Sequence, residues 1–136
     1  MTFPIQFFKK IFAILMSFFF MLMGGNAEKV DVQITDPVTD RSTEITYEVT
    51  NYTGVTLIAD KYFRIEKQTD DGWEALPFNE DFATPSIAII LYNCQSVRLT
   101  IDLQNAYGHS LQAGTYRLVL AYSPTPCVFA VMQTPG

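Results

Sequence analysis

No apolar run in this 136-residue sequence is long enough to cross a bilayer comfortably as a helix, which takes about 20 residues. The longest, Ile11–Met23, has 13 residues and contains one serine. Histidine occurs once, at His109, and no Gly-x-Ser-x-Gly motif is present. A serine-hydrolase reading therefore lacks the strained turn that would hold its nucleophile. Cysteine occurs twice, at Cys94 and Cys127, without the ligand spacing of a zinc site. No EF-hand-like loop of alternating acids exists, so Asp70, Asp71, Glu80 and Asp81 read as turn and loop residues rather than a calcium site. Basic residues are few, 9 against 14 acidic ones. There is no basic stripe to follow a phosphate backbone, which argues against a nucleic-acid partner.

What the sequence does have begins at its N-terminus. Lys9 and Lys10 precede the apolar run, and Gly24-Gly25-Asn26-Ala27 follows it. Basic, apolar and small-residue segments in that order define a secretory signal peptide, with cleavage expected between Ala27 and Glu28. The alternative is an uncleaved anchor that draws in Phe7 and Phe8. Removing residues 1–27 takes away both early lysines, so residues 28–136 carry 7 basic and 14 acidic side chains. Those 109 residues suffice for one domain with its own core. Export supplies an oxidising setting in which two cysteines usually pair, so a Cys94–Cys127 bridge is expected, against the alternative of two buried free thiols.

Period-two alternation runs through residues 28–136. Val30, Val32 and Ile34 alternate with polar neighbours, as do Ile45, Tyr47 and Val49, then Phe63 and Ile65, then Val97, Leu99, Ile101 and Leu103. Tyr116, Leu118 and Leu120 repeat the pattern less cleanly, and Val128–Met132 closes it. Ile87–Tyr92 is continuously apolar, as expected of a short strand covered on both faces. Turn residues separate these runs at Asp70-Asp71-Gly72, Asn93-Cys94-Gln95 and Ser123-Pro124-Thr125-Pro126. No later segment shows sustained helical spacing. The pattern predicts an all-β sandwich of seven to eight antiparallel strands. Within it, Gly114 stands two residues before Tyr116 at the start of an alternating strand, the signature of a tyrosine corner, in which the ring enters the core and the hydroxyl bonds nearby backbone.

Several stretches together resemble a family of bacterial immunoglobulin-like domains found in exported proteins. They are Ile45-Thr46-Tyr47-Glu48-Val49-Thr50-Asn51, Phe63-Arg64-Ile65-Glu66-Lys67, Asp71 with Trp73, and Leu76-Pro77-Phe78. Ile87–Leu91, Leu99-Thr100-Ile101-Asp102-Leu103 with Tyr107-Gly108, and Gly114-Thr115-Tyr116-Arg117-Leu118 complete the order. Asn93-Cys94 stands where Pro-Gly is usual in the family. The resemblance implies an immunoglobulin-like sandwich with a binding or architectural role. It implies no catalytic residue, cofactor or metal.

Three binding readings follow from the residues. A noncatalytic module could recognise a protein partner at the cell envelope through an apolar patch or open sheet edge. Exposed aromatics, chiefly Trp73, Tyr62 and Phe78, could stack on carbohydrate. The same rings could simply pack, with Trp73 lying across its hairpin on Phe63 or Ile65. The loop bearing Pro124 and Pro126 could enter a protease as an inhibitor, since sandwich-end loops are common binding sites. Asn51-Tyr52-Thr53 also matches an N-glycosylation acceptor.

Overall fold

The computed structural model describes residues 29–84 and 87–135. The expected signal peptide lies outside the described residues. Ten strands and one single-turn helix are present among them. In chain order the strands are β1 (Lys29–Ile34), β2 (Val38–Thr39), β3 (Glu44–Tyr52), β4 (Leu57–Ala59), β5 (Arg64–Thr69) and β6 (Gly72–Ala75). Then come β7 (Ile89–Leu91), β8 (Ser96–Asp102), helix α1 (Leu103–Tyr107), β9 (Gly114–Val119) and β10 (Cys127–Met132).

Two sheets face each other. One has the order β1-β3-β8 and the other β2-β10-β9-β5-β6. Alternation puts Ile45, Tyr47 and Val49 of β3 inward, opposite Ile65 of β5, Leu118 of β9 and Phe129 and Val131 of β10. These apolar side chains form one core, and burying them supplies most of the drive to fold. Every pairing within the two sheets is antiparallel except β2 with β10, where Val131 aligns with Val38 in parallel. The all-antiparallel expectation is corrected there. The chain leaves β1, crosses from one sheet to the other within three residues, and adds two residues to the far edge.

A further correction concerns residues 102–108. Asp102 caps α1, its side chain accepting from the Asn105 amide, and Gly108 ends it at φ 82 while donating to the Leu103 and Gln104 carbonyls. A β-carbon at Gly108 would also stand 3.0 Å from the Asn79 side chain, so glycine suits the left-handed conformation there and spares Asn79 a small shift. Leu103, Ala106 and Tyr107 point into the core from this turn.

Tyr116 is buried, and its hydroxyl donates to the Gln112 carbonyl at 2.7 Å across the 112–116 corner. Its ring stacks on Phe129, with centroids 5.9 Å apart. Gly114 opens β9 beside that ring, and a β-carbon there would lie 3.7 Å from it.

Burial holds several other phenols neutral. The Tyr122 hydroxyl is pushed up to about 12, first by desolvation and then by the Asp60 carboxylate. Desolvation also raises Tyr47 and Tyr107. A phenol whose folded value lies above the unfolded value of about 10 favours folding fully below pH 10. That contribution is lost as pH climbs toward 12. The domain should therefore hold its stability to about pH 10 and unfold cooperatively above it. Absorbance at 295 nm should rise together with the loss of the β-sheet circular dichroism signal.

Candidate functional site

The two-stranded β4–β7 ribbon is the feature that most departs from a closed sandwich. β4 follows β3 after a four-residue interruption, and β7 precedes β8 after another, so the ribbon prolongs the β3–β8 pair beyond the main sheet. Its register opposes Leu57 to Leu91, Ile58 to Ile90 and Ala59 to Ile89. One face closes the core, with Ala59 and Leu91 buried. The other face is open to solvent: Ile58 is 69% exposed and Ile90 58%. Val55, Ile87 and Tyr92 extend the same apolar character, and Tyr52 stands exposed at the end of β3. Residues 87–92 were expected to be covered on both faces, and only one face is. The reason is geometric: the two-stranded ribbon packs one face on the core, and among the described residues no element covers the other.

Asn51 fastens the ribbon to the sandwich. The side chain is fully buried and donates to the Leu91 and Val55 carbonyls, both at 2.8 Å. Its carbonyl oxygen accepts from the Thr53 amide at 2.9 Å and the Thr53 hydroxyl at 2.7 Å. The glycosylation reading is corrected by this arrangement. An acceptor must present its amide nitrogen to solvent, and here both of its hydrogens are committed inside the protein.

The two cysteines are unbridged in this structure, so the expected disulfide is not shown. Cys94 is exposed in the β7–β8 turn, its amide donating to the Asn51 carbonyl. Cys127 is half-buried at the start of β10, against the Ile34 backbone. Ile34 lies opposite Tyr47, and Asn51 is four residues further along β3, or about 13 Å. That is beyond the Cα separation of about 5.5 Å that a disulfide prefers. Cys94 has φ 67, the left-handed conformation that the family's usual Pro-Gly turn assigns to glycine. Burial pushes the Cys127 thiol up. Alkylation of the native protein should modify Cys94 quickly and Cys127 slowly. Cys94→Gly should change stability by less than about 1 kcal/mol, because relief of the left-handed strain offsets the added chain entropy. A bridge would instead make that variant cost about 3–4 kcal/mol in a denaturant melt.

The remaining candidate residues do not converge. Trp73 faces away from the core, correcting its expected packing on Phe63 or Ile65. The Arg117 guanidinium covers its ring at 4.6 Å from the centroid. Arg117 and Arg64 both pair with the buried Glu66 carboxylate on that face. Phe78 is half-buried in a cluster, stacked on Phe82 and Tyr107 at centroid distances of 4.9 and 5.0 Å. Tyr62 is exposed alone, its amide held by the Asp60 carboxylate. Pro124 is exposed and Pro126 half-buried in a turn drawn tight by Ser123, whose amide donates to the Leu120 carbonyl and hydroxyl to the Thr125 carbonyl. His109 is exposed, with Nδ1 2.8 Å from the Ser110 carbonyl. Among the described residues, no group of three or more acids, histidines and cysteines is placed to hold a metal ion. An open groove of about 190 Å³ between β8 and residues 82–84 is lined by Tyr47, Phe63, Phe82 and Leu99. It is smaller than the roughly 300–1,000 Å³ of usual ligand pockets.

Two facing sheets, a strand that crosses between them, and a tyrosine corner define an immunoglobulin-like sandwich. The chain belongs to the bacterial Ig-like domain family, whose sequence profile matches residues 26–128. No curated protein matches the chain. Among solved structures, a β-glucosidase from Listeria innocua in complex with glucose aligns at 11% identity and a TM-score of 0.40, covering 80% of this chain and 16% of its own. The β-D-glucoside glucohydrolase of Trichoderma reesei aligns at 11% identity and a TM-score of 0.36, covering 78% of this chain and 18% of its own. The chain thus spans less than a fifth of either enzyme, and at those TM-scores nothing of their activity transfers. Among the described residues, no helix is long and apolar enough to cross a membrane.

Proposed function

We propose that this protein is an exported, noncatalytic binding module that engages a protein partner at the cell envelope through the outer face of the β4–β7 ribbon. The observation that carries the reading is the directly paired and solvent-exposed Ile58 and Ile90, with Val55 and Tyr92 also exposed in the segments that flank the two strands. A directly paired set of exposed aliphatic side chains matches the apolar, charge-depleted character of a protein-interface core. Isolated exposed apolar residues would need no explanation, but a contiguous set does. Export rests on the order of segments in residues 1–27.

The carbohydrate reading is weaker on this geometry. Of its three rings, Trp73 is covered by Arg117 and Phe78 is stacked in a cluster, which leaves Tyr62 without a second ring. The inhibitor reading is weaker too, because the 123–126 turn is short and drawn inward by Ser123.

Affinity capture from envelope extract tests the proposal. Wild-type protein should retain a defined partner, and an Ile58→Asp, Ile90→Asp variant should lose it at least tenfold while keeping its circular dichroism spectrum. Both changes fall on the solvent face, so the fold has no reason to fail. Equal capture by the folded variant would overturn the ribbon as the contact surface.

A further inference from the structure

β8 is an edge strand: it pairs with β3 on one side, and among the described residues no strand pairs with the other. The hydrogen-bond parity of that edge follows from two flanking bonds. Leu103 donates to the Thr43 carbonyl, and Asn51 donates to the Gln95 carbonyl. Odd-numbered residues along 95–103 therefore bond inward to β3. The backbone groups of Arg98, Thr100 and Asp102, which alternate with them, point to the unpaired edge, where Thr100 and Asp102 line one side of the groove whose other side is formed by residues 82–84.

The side chains of the same three residues lie on the solvent face, where the Asp102 carboxylate also caps α1, accepting from the Asn105 amide at 3.1 Å. Asp102 stands directly opposite Glu44 on β3, two exposed carboxylates in a non-hydrogen-bonded pair, where side chains come closest. Like charges so placed repel. Four residues away in the same row, Arg98 meets Glu48 through Nε at 3.1 Å, and its side chain remains 70% exposed. The guanidinium has donors left for a second carboxylate. Between them, the Thr46 and Thr100 hydroxyls lie 3.2 Å apart.

We infer that β8 pairs antiparallel with β8 of a second copy of this chain, with the two-fold axis at Thr100. In that register Thr100 faces its counterpart and each Arg98 faces the other copy's Asp102. The Glu44–Asp102 repulsion in each copy then meets a guanidinium. The hydroxyl row becomes four threonines long, and both three-stranded sheets merge into one of six strands. Shifting the axis to Arg98 or to Asp102 would oppose like charges, and shifting it to Leu99 or Ile101 would oppose Arg98 to Thr100 or Asp102 to Thr100. Only the Thr100 axis opposes both charge pairs, so the sequence of the edge selects one register. The interface is isologous, as a two-fold contact requires. This surface is separate from the β4–β7 ribbon.

Sedimentation velocity of the protein purified after expression of its full coding sequence tests the inference, over concentrations up to about 1 mM. The expected result is a concentration-dependent dimer that weakens in high salt. Thr100→Pro removes an outward-facing N–H, a change an edge strand tolerates, and should leave a folded monomer. Arg98→Glu, at an exposed position, should weaken the dimer at least tenfold, and Ile58→Asp should leave it intact. A wild-type protein that stays monomeric at the highest concentration would overturn the inference. So would a dimer indifferent to Arg98→Glu, or one abolished by Ile58→Asp.

Discussion

Replacing Asn51 by alanine should lower the stability of this domain by about 3 kcal/mol. The Asn51 side chain makes four hydrogen bonds from a fully buried position. Its truncation leaves the buried Leu91 carbonyl without this donor, and an unsatisfied buried group costs about 1–3 kcal/mol. The Val55 carbonyl and the Thr53 amide lie nearer the surface, so water recovers part of their loss. For a domain of this size the change corresponds to roughly 12–20 °C in melting temperature. Asn51→Asp should do no better, because a carboxylate oxygen would then face the two carbonyls that now receive N–H donors. The damage should be local first. Amides of the β4–β7 ribbon should exchange with solvent faster than those of β3 and β9. Thermal melts and hydrogen exchange check both parts, and a variant within about 0.5 kcal/mol of wild type would remove Asn51 as the fastening of the ribbon.

Tyr116→Ala should cost more than about 3 kcal/mol, since it empties a core volume between the two sheets and deletes the corner bond together. Tyr116→Phe separates the two contributions. It keeps the ring against Phe129 and removes only the 2.7 Å bond to the Gln112 carbonyl, for about 1–2 kcal/mol. Urea melts of both variants test the assignment. If both lie within error of wild type, the corner does not anchor the sandwich.

The strands that alternate cleanly were legible because one face of each is buried. Val97, Leu99 and Ile101 differ enough from Arg98, Thr100 and Asp102 for period two to show. The corner was legible because Gly114 and Tyr116 are neighbours in sequence as well as in space. Helix α1 was not. Leu103, Ala106 and Tyr107 have helical spacing, with Asp102 and Gly108 as caps, but five residues cannot outweigh the alternation that runs into them. The parallel β2–β10 contact involves two residues per strand and leaves no periodic trace.

The candidate site was the least legible part. An unbroken apolar run such as Ile87–Leu91 reads the same whether one face or both are covered, and only the topology decides. Val55–Ala59 is too short to declare itself a strand. The cysteine pairing was expected from compartment and count, and neither carries the distance between the β7–β8 turn and the start of β10. Asn51 carries no local signal at all, because its partners at Val55 and Leu91 come together only when the ribbon forms.

The central claim is that the exposed face of the ribbon touches a protein partner, and a photo-crosslinking amino acid placed at position 58 in cells tests it most directly. The account predicts one dominant crosslinked envelope protein from position 58, and none from a control at Val128, also well exposed but on β10. No crosslink at position 58, or the same products from both positions, would contradict it.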